Sequence, residues 1–166
     1  MKPINIISLV IWFAIALAIG YTFSAWSTSN GYRVPVSGIS LSISIVVVSL
    51  ILLGLALPIY RYKRQLKKFI EAKQKNLVRP VPVDPFYAVR VLVLAKASAI
   101  TSALFIGWHG GVLLKLFTSP VIATEAIGPN LTALIVSIIL LVVAFIVQSI
   151  CRLPSDSGPK SDAVAA

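Results

Sequence analysis

Four long apolar stretches dominate this chain and limit its fold more than any other feature. Ile4–Ala25, Ser37–Ile59 and Leu131–Cys151 carry no charged residue, and Val91–Phe117 carries only Lys96, His109 and Lys115. About 20 mostly apolar residues cross the hydrocarbon of a bilayer as a helix, and each stretch is long enough. In lipid an unpaired backbone amide or carbonyl is costly, so open strands do not span. The run Ser37-Gly38-Ile39-Ser40-Leu41-Ser42 alternates like a strand. The apolar run that follows outweighs it, and a helix with an irregular first turn is expected. The expected fold is all-α, a four-helix transmembrane bundle with helices at about 4–26, 37–59, 86–117 and 131–151. Residues 1–152 are read as one membrane domain and 153–166 as a disordered cytoplasmic tail. The first stretch exceeds the h-region of a signal peptide and is expected to stay uncleaved.

Composition agrees. Hydrophobic residues make up 58% of the chain and charged residues 12%, about half the charged share of a soluble domain. This excludes a disordered chain. The net charge of +10 suggests nucleic acid only until the charges are placed. Basic residues gather at Lys2, in the 60–84 loop, and at Arg152 and Lys160. The connection after the first stretch has only Arg33, and the connection before the last has none. Lys and Arg mark the cytoplasmic side. Both termini and the basic loop are therefore expected in the cytoplasm, N-in and C-in, with no nucleic-acid partner. Arg61, Lys63, Arg64, Lys67 and Lys68 sit among Tyr62, Leu66, Phe69 and Ile70 at helical spacing. That amphipathic segment either extends the second helix or lies along lipid headgroups, which its cations would contact.

Capping signals set the next boundaries. The alternating prolines of 79–85 favour an extended strut. Asp84 and Pro85 then suit the N-cap and first position of the third helix. After Gly128-Pro129, Asn130 suits the N-cap of the fourth.

The third span carries the most information. Ala95, Ala99, Ala103, Gly107 and Gly111 form an unbroken small-xxx-small series, the pattern that lets helix backbones approach closely in lipid. Leu94, Leu104, Phe105, Trp108 and Val112 lie opposite and are expected to face lipid. The first span has a shorter version in Ala16-xxx-Gly20. Arg90 can snorkel to headgroups. Lys96 lies about 9 Å deeper along the helix and points toward the small-residue face, so it is the candidate functional residue of the membrane region. Neutral groups such as Asn5, Ser8, Gln148 and Ser149, a lipid phosphate, or a carboxylate from another protein could solvate it. His109 is the lone histidine and is read as a hydrogen-bonded packing residue.

Catalytic constellations are missing from the sequence. It holds no metal-spaced cluster, no paired intramembrane carboxylates and no phosphate loop. Cys151 is single and is read as a small buried apolar residue. No enzyme activity, metal or cofactor is expected.

The segment from Asp84 to Ser98, DPFYAVRVLVLAKAS, resembles the signature of a family of small four-span membrane proteins of high-GC Gram-positive bacteria, domain-of-unknown-function family 3180. The resemblance implies a plasma-membrane protein and draws interest to Asp84, Arg90 and Lys96. The expected function is that of a non-enzymatic accessory or assembly factor that packs against a membrane partner or a second copy of itself. A small transporter and an anionic-lipid-binding protein are the alternatives.

Overall fold

A computed structural model describes residues 5–71, 84–119 and 124–151. It contains four helices, α1 (Ile6–Ser29), α2 (Ile39–Glu71), α3 (Pro85–Thr118) and α4 (Thr124–Cys151). All four are long and apolar enough to span a bilayer, and large side chains such as Ile11, Ile43, Ile51 and Ile146 are exposed on the outside. This is the pattern of a multi-pass membrane protein, in which lipid takes the place of water around an apolar surface. The proline strut, the tail and the side chains of Lys67, Lys68 and Pro85 lie outside the described residues.

Local chemistry accounts for both ends of α1 and the start of α3. Asn5 caps α1, its side chain accepting from the Ile7 amide at 3.3 Å. At the other end Gly31 takes φ +74°, a left-handed conformation that glycine adopts without strain. The Gly31 amide then donates to Thr28 O and the Tyr32 amide to Ser27 O, which closes a Schellman motif. Asp84 accepts from the Phe86 amide at 2.9 Å and Pro85 opens α3.

α2 continues straight through the basic segment to Glu71 and includes Pro58. Proline removes one helical hydrogen bond and crowds the preceding turn. The Tyr87 hydroxyl of α3 donates to Leu55 O, in that turn, at 2.8 Å. The carbonyl that Pro58 leaves without its helical donor is Gly54 O, so this bond lies one residue from the break and ties α3 to that turn.

The expected start of α4 is corrected. The helix begins at Thr124, and Gly128 and Pro129 lie inside it. Asn130 is therefore not a cap. Pro129 is the sixth residue of the helix, past the amides that lack partners, so it removes the bond to Glu125 O, and Glu125 in the first turn complements the helix dipole.

α3 lies between α1 and α4. α2 packs mainly on α4 and meets α3 only lightly, while α1 and α2 do not pack together among the described residues. α1 and α3 run parallel. A Cβ placed on Gly107 would lie 2.5 Å from Phe13 O, and one on Gly20 would lie 2.5 Å from Trp108 O. A Cβ on Gly111 would collide with Leu17 O. The pair Ala16 and Gly20 thus faces Gly107 and Gly111, with backbone against backbone.

The small series of α3 does not form one face. A step of four residues advances about 40° around a helix, so the series winds from one neighbour to the next. Ala95, Ala99 and Ala103 join a core with Leu52, Ala56 and Ile59 of α2 and Val143, Ala144 and Val147 of α4. Gly107 and Gly111 belong to α1. The expected lipid side is also corrected in part. Leu94 is exposed, but Val112 is fully buried, in a cluster with Leu113, Leu116 and Ala126. The extra turns at the start of α4 bring Ala126 over it. Leu104, Phe105 and Trp108 are half-buried.

Candidate functional site

The charged candidates do not converge. Arg61, Arg64 and Arg90 are exposed, and Lys96 is half-buried. Gly107 faces Phe13 and Leu17 of the parallel α1. At about 1.5 Å rise per residue in both helices, Lys96 lies near the level of the first turn of α1, beside the end that Asn5 caps. It therefore sits toward the basic end of the bundle rather than at mid-depth. Lys63 donates to Ser149 O at 3.4 Å and ties the α2 extension to the end of α4. Cys151 is buried and free. Among the described residues no three His, Cys, Asp or Glu side chains could share a metal ion.

The groups that do converge are others, at the opposite end. Asn130 of α4 is 1% exposed and His109 of α3 is 3% exposed. Asn130 Oδ1 lies 3.1 Å from His109 Nδ1. The Asn130 amide nitrogen donates to Pro35 O at 3.0 Å and to Ala126 O at 2.9 Å. One side chain therefore joins α3, α4 and the connection that leads into α2. Four side-chain polar atoms, Ser24 Oγ, Ser37 Oγ, His109 Nε2 and Gln148 Nε2, are buried without a hydrogen-bond partner among the described residues. Such atoms are uncommon in folded proteins and call for an explanation. Three buried helical serines solve the problem locally, Ser49, Ser102 and Ser137 each donating to the carbonyl four residues back, whereas Ser24 of α1 does not. Ser37 precedes α2 and has no helical turn behind it.

Ser37, His109 and Asn130 line one groove, of about 580 Å³, between α1, α3 and the start of α2. Its other walls are apolar and aromatic, with Trp12, Ile15, Leu41, Phe105 and Trp108 prominent. Phe105 stacks on the His109 ring at 6.3 Å between centroids. The groove exists because α1 and α2 do not meet. A second cavity, of about 370 Å³, runs on between α2 and α3 and shares Leu41 and Phe105 with the first. From Leu94 to His109 the two extend about 22 Å along α3 at 1.5 Å per residue. The result is a long, mostly apolar furrow, with Ser44, Ser98 and Thr101 along the α2–α3 part and Ser37, His109 and Asn130 at the other end.

Residues 9–155 match a family model described as "Protein of unknown function (DUF3180)". The chain belongs to this family. The matched span includes every residue of the furrow, from Trp12 to Leu140. No curated protein and no solved structure matches the chain.

Sequence reasoning missed the Asn130 and Ser37 roles and the placing of His109 in a groove wall. A signal was present. His109 and Asn130 fall at similar distances on either side of the α3–α4 connection, and an antiparallel hairpin brings such positions level. The cap reading of Asn130 hid it.

Proposed function

We propose that this protein is a non-enzymatic plasma-membrane accessory protein that holds a lipid-like molecule in the furrow between α1, α2 and α3. The observation that carries the reading is the furrow itself, a long and mostly apolar concavity left where α1 and α2 do not meet, with His109, Asn130 and Ser37 in its wall at one end. Ligand sites are mostly apolar concavities with a few convergent polar groups that fix orientation. An imidazole, an amide and a hydroxyl in the wall suit holding and orienting a molecule.

The topology goes with this reading. The positive-inside distribution supports cytoplasmic termini and a cytoplasmic α2–α3 loop, which puts the polar end of the furrow toward the outer leaflet. Exposed Arg61 and Arg64 on the α2 extension suit anionic headgroups of the inner leaflet. The small residues of α3 are used within the chain, so a protein partner or a second copy would meet the outward helix faces instead.

The test is native mass spectrometry of the full chain, extracted from its own membranes in mild detergent. A stoichiometric lipid adduct is expected, and its loss from a Leu41→Trp variant, which fills the furrow, would tie it to this site. A chain that carries only detergent, or an adduct unaffected by Leu41→Trp, would overturn the proposal.

A further inference from the structure

We infer that the first half of α2, residues 39–53, is an arm that swings about a joint at Gly54–Pro58 and so widens and narrows the furrow. The swing belongs to the helix itself. Its use, to admit and release a molecule, rests on the furrow being a lipid site.

The joint occupies one turn. Pro58 has no amide hydrogen, so Gly54 O lacks its helical donor. Gly54 has no side chain to restrict the same turn, and a Cβ there would meet nothing within 4 Å. Tight packing therefore does not account for this glycine, as it does for Gly107. Both Gly54 and Pro58 are exposed, on one face of the helix, so no neighbour clamps the turn from that side. Sharp helix bends gather at proline, and hinges are a few residues that absorb the change in backbone angles.

The two halves of α2 are held differently. At and after the joint, Ala56 and Ile59 are buried in a core with Ala88 and Val91 of α3 and Val147 of α4. Lys63 then donates to Ser149 O at 3.4 Å. Before the joint, only Ile45 and Ser49 are buried between Ile39 and Ile51. α2 packs mainly on α4 and only lightly on α3, and it does not meet α1 among the described residues. Leu41, Ser44 and Val48 of the arm form a wall of the α2–α3 cavity. Two hydrogen bonds act as stays. The Tyr87 hydroxyl donates to Leu55 O at the joint, and the Asn130 amide donates to Pro35 O beyond the free end of the arm.

From Leu55 to Ile43 the arm is about 18 Å long at 1.5 Å per residue. A bend of about 20°, the onset of a sharp kink, moves Ile43 by about 6 Å. That is more than half the usual spacing of packed helix axes, about 8–10 Å. The furrow runs along this arm, so its width changes with the swing.

The experiment uses the full chain in nanodiscs, in a Cys151→Ser background, with nitroxide labels on introduced cysteines. One label replaces Phe117 of α3. The other replaces Ile43 on the arm or Arg64 after the joint, and all three positions are exposed. Dipolar electron paramagnetic resonance reads the spread of each distance. The 117–43 spread is expected to exceed the 117–64 spread by about 6 Å, the displacement of the arm. Pro58→Ala restores the donor to Gly54 O and, at an exposed position, opens no cavity. It is expected to bring the first spread down to the second, and Tyr87→Phe is expected to widen it. A fixed packing role for these residues would shift the mean distance and leave the spread unchanged. Equal spreads in the wild type, or a 117–43 spread that neither variant moves, would overturn the inference. Mass spectrometry of the same samples separates the two readings. A lipid adduct together with equal spreads rejects the arm and keeps the lipid furrow. A wide spread that Pro58→Ala narrows, with no adduct, keeps the arm and rejects the lipid.

Discussion

Asn130 Oδ1 accepts from His109 Nδ1 at 3.1 Å, across the α3–α4 interface and wholly inside the bundle. The same Asn130 amide holds Pro35 O, so a single side chain sets both the tautomer of the histidine and the path of the chain into α2.

Asn130→Ala is expected to destabilise the protein by about 1–2 kcal/mol. Buried partners lose about 1–3 kcal/mol when left unsatisfied, and hydrogen bonds between membrane helices sit at the lower part of that range. Thermal unfolding in detergent should show a lower midpoint. Hydrogen exchange should rise at residues 32–38 more than at the far end of α2.

Gly107→Leu and Gly111→Leu are expected to abolish the α1–α3 contact, because a Cβ at either position meets α1 backbone. Even Gly107→Ala should cost about 1–3 kcal/mol by overpacking. Gly54→Ala is the control. Its Cβ meets nothing within 4 Å, and alanine gains up to about 1 kcal/mol in helix propensity. Thermal midpoints should therefore order Gly54→Ala, wild type, Gly107→Ala from high to low.

Tyr87→Phe keeps the ring and removes the hydroxyl that reaches Leu55 O beside Pro58. A loss of about 0.5–1.5 kcal/mol is expected, with faster amide exchange in the turn around Pro58. Unchanged exchange there would separate the hydroxyl from the proline break.

Asn30 and Arg64 are both exposed and lie at opposite ends of the bundle. In a Cys151→Ser background, Asn30→Cys is expected to react with a membrane-impermeant maleimide on intact cells. Arg64→Cys is expected to react only after permeabilisation. The reverse pattern would invert the topology and place the polar end of the furrow in the inner leaflet.

Hydropathy, the cap at Asp84 and the steps between small residues were enough to read four spanning helices and the close approach of α3 to its neighbours from the sequence. These signals act within a few residues of one chain segment. They did not show that α4 begins at Thr124, because Gly128-Pro129 reads locally as a break. They also did not show how the small series divides. A four-residue step drifts around the helix, and only the positions of α1, α2 and α4 decide which neighbour each residue meets.

The furrow is the clearest case. Asn130 lies 95 residues from Pro35 and 21 from His109, distances over which no local periodicity operates. The sequence by itself determined that these residues would lie in or beside apolar helices, since lipid allows the backbone few other forms. The tertiary structure decided that α1 and α2 stay apart and that α3 and α4 pair level at His109 and Asn130. Helix packing creates the gap, and a buried amide with two carbonyls to satisfy fixes which nitrogen of His109 it binds.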